Sequence, residues 1–556
     1  MARLKGLTSN LNTLIGDRLK KLSPEQAQLL SYASVFGGHF WEQGLRALGL
    51  EFPKETIDGL VAEDLIFSTE TSRFLATREY AFRNILLRDM VYESIAAPEH
   101  KVLHQRAAEW LVGVGEYDPI VLANHYQKAD LLNEAREALC IAASAALHSG
   151  DPQGALVFIQ EGLAGPSFEN QSRAKFELLT LRRKAFELQG HYELAIETVA
   201  ELTKLSETGH QRSKSEFDRS RLLIARGNSS EALRCSRQAL EQIENSTTDA
   251  SHGWLELALG DALQARGDTI TACTNYQNSY SRAKEDQDRR LSTASILRLA
   301  RIAYSTSDFT QAIKLYDKAR LRYIQDLEDP GGEALAELGL GATLTMIGEH
   351  DKAADRLSQA HAIFSALPDS GNRLLVQTYQ LFLQEEETEQ GATLEHIQNL
   401  QREIEDVDYR QPSLFCGILL LRKYLKTHAL EDAVAEANRL FKTAIRSLPR
   451  YVIAIESAMG VALAKSNGLQ AGLQHTEAAV ARLESQKAIE DDDPHRIYLN
   501  YSQALALTGN TEMSHTVLRQ AHKTMTDIQS RLSEDHRVMF RRRSLNRQID
   551  ALVKKI

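Results

Sequence analysis

Ala225-Arg226-Gly227-Asn228 closes one apolar helix, and forty residues further on Ala265-Arg266-Gly267-Asp268 closes another in the same way. In both places a small residue follows the glycine by five positions, Ala232 after Gly227 and Ala272 after Gly267. Glycine takes the left-handed backbone conformation that ends a helix without steric cost. The small residue falls one turn into the following helix, where two antiparallel backbones approach most closely. This is the turn of a helical hairpin. Between such turns the apolar positions keep three-and-four spacing, as along Ala232 to Leu240.

Working outward, the same phrase occurs upstream at Gly150 with Ala155 and at Gly190 with Ala195. Downstream it continues at Ser307 with Ala312, Gly348 with Ala353, Thr388 with Thr393, His428 with Ala433, Asn467 with Gly472 and Gly509 with Ser514. Ten occurrences hold a period near forty residues. Each hairpin has an apolar face too wide to bury alone, so neighbours must stack. The expected fold is all-α: a right-handed α-solenoid of about ten hairpins over residues 131–533. The pattern resembles the tetratricopeptide superfamily in its longer-period form, although the proline that often ends such repeats is mostly missing.

Composition agrees with a long soluble array. The chain has 556 residues, 43% of them apolar and 25% charged, with only 11 prolines to interrupt helices. A net charge of −10 argues against a surface wrapped in nucleic acid, which needs clustered Lys and Arg. Cys140, Cys235, Cys273 and Cys416 lie far apart without a CxxC pair, which fits buried thiols in a reducing compartment. Nothing approaches 18 consecutive apolar residues, and residues 1–22 lack a signal-peptide core. A cytoplasmic location is expected, with no membrane partner.

Before the repeats the pattern changes. Ser23-Pro24-Glu25-Gln26 opens a helix with an N-cap, a first-turn proline and a Gln at the third position. Short helices over Trp41–Leu48 and Lys54–Asp64 are expected next. Two strands, Leu65–Ser68 and Arg73–Phe82, should be joined by a turn over Thr69–Ser72, with a last helix over Ile85–Ile95. This order is that of a winged helix, over residues 1–96. A helical connector is expected over 97–130. The helix that would enter a DNA groove, Lys54 to Asp64, carries four acids against Lys54, so DNA binding is not expected there. Residues 534–556 read as a basic capping helix. Its Arg537, Arg541, Arg542, Arg543, Arg547, Lys554 and Lys555 form either a solvated face or an anionic docking patch.

Three phrases carry a further resemblance: Phe82-Arg83-Asn84-Ile85-Leu86-Leu87-Arg88-Asp89-Met90-Val91-Tyr92-Glu93-Ser94, Leu103 to Leu111, and Leu122-Ala123-Asn124-His125-Tyr126. Together they look like the region after the nucleotide-binding core in bacterial signal-transduction ATPases with numerous domains. The match runs from about Leu11 into the repeats. The resemblance implies a winged helix that contacts a nucleotide core and a repeat array that senses a ligand. Two departures matter. No GxxxxGK[ST] loop occurs in the chain, and Asn84 stands where that family commonly has His. The order of parts therefore implies the regulatory half of a split or truncated ATPase, or a free-standing derivative.

No catalytic constellation emerges. His100 and His104 share a helix face at four-residue spacing, but Lys101 follows His100, so HExxH is absent. His515 and His522 have no acidic third ligand nearby in sequence. Glu385-Glu386-Glu387 and Glu490-Asp491-Asp492-Asp493 lack the alternating ligands of a calcium loop and read as inter-helix turns or solvated ends. Gly332, Gly339 and Gly341 lie inside a helical repeat and not after a strand. Tyr276, Tyr280, Tyr304, Tyr316, Tyr323 and Phe309 are packing residues, some of which could face a groove. The expected function is a non-enzymatic interaction or sensor module without cofactor or metal. Its partner would be a protein, a peptide or a small effector, and includes a nucleotide-binding signalling protein. The alternative is a regulatory fragment of an ATPase-linked enzyme, associated with an adenylate cyclase or a protein kinase. The sequence names no partner-binding residues.

Overall fold

The computed structural model describes residues 15–164, 172–244, 252–387, 391–466 and 468–556. Two compact units divide the chain: Met1–Ala146 with Gly154–Leu178, and Leu147–Gln153 with Leu179–Ile556. No described helix is long and apolar enough to cross a membrane.

In the first unit Ser23 caps the helix Pro24–Ser34, and Gln26 returns a bond to the Ser23 backbone, the full capping box. A strand, β1 (His39–Trp41), precedes the helices Glu42–Ala47 and Lys54–Ala62. The strands β2 (Ile66–Ser68) and β3 (Glu79–Phe82) follow, and all three form an antiparallel sheet in the order β1-β3-β2. The register pairs Phe40 with Tyr80 and Phe67 with Ala81.

Two local expectations change. β1 replaces the start of the helix expected from Trp41, and the segment from Thr69 to Arg78 is a long connection in place of a tight turn. The cause is buried. Phe74 packs on Trp41 at 4.8 Å and on Trp110 at 5.6 Å, drawing the connection inward. Glu79, 8% exposed, accepts from Trp41 Nε1, His39 Nδ1 and the Arg73 backbone N–H, tying β1, β3 and the connection together.

The second unit is a helical-hairpin array. Every described turn position of the repeat takes positive φ: Gly150, Gly190, Gly227, Gly267, Ser307, Gly348, His428 and Gly509. Two further positions, Thr388 and Asn467, lie outside the described residues, as does Leu11. The small residues five places on are buried at Ala195, Ala232, Ala272, Ala312, Ala353, Ala433 and Ser514. At Gly472 the fit is tightest, since a Cβ there would stand 2.5 Å from the Ala464 backbone nitrogen. Thr393 departs from the pattern. It is exposed and caps the helix Leu394–Glu405, accepting from the His396 backbone N–H. This residue serves as a helix cap and not as a packing contact at the turn.

Within this unit the array returns on itself. The Ser370 hydroxyl donates to the Leu188 carbonyl 182 positions away, and the Thr310 hydroxyl donates to the Arg531 carbonyl 221 positions away. Divided by the repeat length, these separations put about five repeats between contacting hairpins. The turn glycines are the contact points: a Cβ on Gly150 would meet the Ala366 carbonyl at 2.8 Å, and one on Gly348 the Met539 carbonyl at 2.9 Å. At the end of the chain, the expected single capping helix is two helices, Glu534–Arg542 and Ser544–Val553. The break falls at Arg543, whose side chain is 0% exposed and so cannot belong to a solvated face. All four cysteines are free, and burial pushes the Cys140 and Cys416 thiols up to about 12.

Candidate functional site

Helices of the array from Tyr192–Leu205 to Arg410–Lys426 line a lumen, which has two features. The first is the acidic segment between the helices Leu469–Gln486 and Pro494–Leu507. It is an inter-helix turn, as expected, but it is not solvated: Glu490, Asp491, Asp492 and Asp493 are 3%, 2%, 5% and 1% exposed. Four consecutive carboxylates stay buried only when charges and donors surround them. Arg301 Nε lies 2.8 Å from Glu490. The hydroxyls of Tyr304, Tyr379 and Tyr451 all donate to Asp491. Arg422 and Arg496 pair with Asp492. Arg543 clasps Asp493 through two nitrogens at 2.7 and 2.8 Å, and also reaches Glu386.

These environments act in opposite directions. Burial, reinforced by neighbouring Glu490, holds the Asp491 carboxyl above the ordinary range, and Arg301 offsets this only in part. Burial acts the same way at Asp493, but there the Arg543 guanidinium prevails and holds the carboxyl well below the ordinary range.

The second feature is a cavity of about 220 Å³ beside that segment. Its charged wall comes from Arg221 on the helix Gly209–Arg226, Arg298 and Arg301 on the helix Arg289–Ser305, and Arg450 in the short turn Pro449–Tyr451. Three of these arginines are engaged. Arg221 pairs with Glu187 and Arg298 with Asp261 at 3.2 Å, while Arg301 holds Glu490. Burial of Glu187 would raise its pKa, yet Arg221 and Arg183 bring it down to about 2. Asp369 accepts from Asn372, which lines the cavity. Burial raises its carboxyl to about 6 despite hydrogen bonds from Asn372. Leu297, Leu335, Leu338, Leu375 and Tyr316 supply the apolar wall.

Among the described residues, three buried polar atoms on residues that line this cavity have no partner: Gln264 Nε2, Gln411 Nε2 and Arg450 Nε. Native interiors leave few such atoms unpaired, and those that remain call for an explanation. The Tyr276 hydroxyl stands 2.8 Å from Asp261 Oδ1 and 2.9 Å from the Gln264 carboxamide oxygen, so its one proton serves two acceptors.

The residues singled out in the sequence are placed as follows. His104 is 1% exposed and its Nδ1 lies 3.0 Å from Nδ1 of His125, while Tyr92 bonds its Nε2 at 2.8 Å. Its partner is thus His125 from another helix, and His100 stacks beside it at 6.2 Å. His522 lies 3.2 Å from Asp550. Glu385 and Glu386 end the helix Ser370–Glu387 and pair with Lys423 and Arg543. Gly332, Gly339 and Gly341 are a packing surface, since Cβ atoms there would collide with Tyr323, Tyr316 and Leu357 at 2.3, 2.2 and 2.7 Å. Asn84 caps the helix Ile85–Glu93 through the Leu86 backbone N–H. Among the described residues no group of three His, Cys, Asp or Glu is arranged to hold a metal. Tyr304 and Tyr316 face the lumen, whereas Tyr323 and Phe309 pack between helices.

Residues 291–366 match the tetratricopeptide repeat family. They span the hairpins from Arg289–Ser305 to His350–Ala366, so part of the cavity wall lies in the matched segment. No curated protein matches the sequence. Among solved structures, the chain is similar to a signal transduction ATPase with numerous domains carrying a tetratricopeptide repeat sensor, from Pyrococcus horikoshii. Identity is 15% and the TM-score 0.44, over 78% of this chain; the chain spans 66% of that protein. It is also similar to a Rap protein complexed with competence and sporulation factor, at 12% identity and a TM-score of 0.45, over 72% of this chain and 100% of that one. A third similar structure, aspartyl phosphate phosphatase F from Bacillus subtilis, has 15% identity and a TM-score of 0.37, over 62% of this chain and 89% of that one.

Sequence reasoning missed Gln264, Gln411 and Arg450 as site residues. One signal was available in the sequence: Arg298 and Arg301 stand three apart within the otherwise apolar run Ile296 to Tyr304.

Proposed function

We propose that the chain is a non-catalytic sensor or interaction module. The repeat array captures a protein segment, peptide or small effector in its lumen, and the winged-helix-like N-terminal unit passes that state to a nucleotide-binding signalling protein. The observation that carries this reading is the cavity whose wall leaves three buried nitrogens without partners. A wall that served packing alone would lose stability through each unpaired donor. Tyrosine, leucine and arginine together are also the residue types that anchor ligands in a concave surface. Contacts across about five repeats give occupancy a route to the geometry of the array, because a ligand that favours one arrangement shifts the population toward it.

Leu335 is half-buried on the cavity wall. Leu335→Trp puts an indole into the space. Small molecules and peptides from a cell extract that co-elute with the full chain should be retained by the unmodified protein and lost from this variant, with melting little changed. Equal retention by both proteins would reject the lumen as the capture site.

A second reading rests on the run Phe82 to Ser94, which resembles a segment of the ATPase family and here forms one continuous piece: the end of β3, the Asn84 cap and the helix Ile85–Glu93. On that reading the chain is the regulatory part of an ATPase-linked signalling enzyme. Nucleotide hydrolysis by a separate core protein that changes when the full chain is added would support it.

A further inference from the structure

The chemistry of the ligand follows from the cavity, on the reading that the cavity is the capture site. Each unpartnered buried polar atom in its wall is an N–H donor: Nε2 of Gln264, Nε2 of Gln411 and Nε of Arg450. Gln264 and Gln411 are only 4% and 7% exposed. Gln411 is the second residue of the helix Arg410–Lys426, whose N-cap Tyr409 makes no side-chain capping bond, so the positive end of that helix adds to the donors. The helix His252–Ala265, which carries Gln264, packs against the Pro449–Tyr451 turn, which carries Arg450. Glu187 and Asp261, the carboxylates in the wall, are already engaged by Arg221 and Arg298. Among the described residues Arg450 has no carboxylate partner, and its guanidinium lies over the Tyr451 ring at 5.3 Å.

Donors without acceptors beside one uncompensated cation call for an acceptor-rich anion. The remaining wall is leucine and tyrosine. A space of about 220 Å³ has room for a small molecule. We propose that the cavity binds a small amphipathic oxyanion. Its carboxylate or phosphate head is held by Gln264, Gln411 and Arg450, and its apolar or aromatic body lies against Leu335, Leu338 and Tyr316.

Calorimetric titration of the full chain with phenylacetate, phenyl phosphate and neutral phenylacetamide tests this. At least one anion should bind about tenfold more tightly than the amide, the size expected of one charged hydrogen bond, and the better anion identifies the head group. Arg450→Met and Gln411→Leu should each weaken that anion about tenfold. Both variants remove unpartnered groups and should melt like the parent. If phenylacetamide binds as well as both anions, the oxyanion assignment fails while capture in the cavity stands. No binding of any probe likewise removes the oxyanion assignment. Anion binding that survives Arg450→Met, Gln411→Leu and Leu335→Trp places the ligand elsewhere and removes both proposals.

Discussion

In the N-terminal unit, His104 and His125 are buried against each other with no carboxylate paired to them among the described residues, whereas in the array four consecutive carboxylates are buried among arginines and tyrosines. Burial lowers the His104 pKa to about 3, with His125 and Lys128 adding to the effect, and it lowers His125 to about 4. The pair is therefore neutral, and one ring N–H donates to the other ring's lone pair. At Asp493 the charge is kept and matched by Arg543. One region excludes charge, and the other holds it in place. The two strategies respond differently to a lost partner, to acid and to the removal of a group that has no partner.

The largest effect should come from Arg543→Met, which leaves Asp493 and Glu386 buried without their guanidinium. Breaking a buried pair from one side costs about 3–5 kcal/mol, measurable by chemical denaturation. Adding Asp493→Leu should recover part of it. A loss within about 0.5 kcal/mol would mean that the carboxylates take up protons instead, as the histidines reject them.

Next in size is Tyr379→Phe, which removes one of three hydroxyls from Asp491. A hydrogen bond to a charged group contributes about 1.5–3 kcal/mol. Tyr451→Phe should act similarly, and the double variant tests whether the three donors act as a network.

Acid separates the two regions more gently. An unfolded histidine binds a proton near pH 6.5, while folded His104 and His125 resist it down to about 3 and 4. The unfolded state thus holds more protons in that window. The stability these residues share is present above about pH 6.5 and declines as pH falls toward about 4, by at most about 1.4 kcal/mol per pH unit for each histidine. Paired Glu187, held at about 2, remains ionised there. Asp369, raised to about 6, acts in reverse: its contribution improves as pH falls from about 6 toward its ordinary value of 3.8. Hydrogen exchange followed from pH 7 to 4.5 should show residues 97–128 loosening first, and His104→Phe with His125→Leu should abolish that order. The smallest effect is expected for Arg450→Met without ligand, within about 0.5 kcal/mol in thermal melts, because no carboxylate among the described residues pairs with it.

The array was legible because its signal is geometric. Gly227 and Gly267 announce positive φ, and Ala232 and Ala272 announce close approach, so local chemistry repeated at a fixed period specifies the hairpins. Ser307 and His428 take the same conformation without being glycine, and only the period reveals them. What the sequence hid is the return of the array on itself. Glu490 to Asp493 resemble any polar turn, and their burial depends on Arg301 and Arg422, brought in by hairpins far along the chain, and on Arg543 between the two terminal helices. The site was hidden for the same reason. A glutamine such as Gln411 is unremarkable until the fold buries its amide nitrogen without a partner among the described residues. In the N-terminal unit, β1 was missed because three residues carry no period, and Phe74 acts through Trp110 from another helix.

The most direct test of a ligand-capturing lumen is hydrogen exchange of the full chain with and without the species that co-elutes with it. Capture in the lumen predicts slowed exchange around Gln264, Arg298 to Tyr304, Gln411 and Arg450, and none of that protection in Leu335→Trp. Slowed exchange confined to residues 15–146 would contradict it and move the binding site to the N-terminal unit.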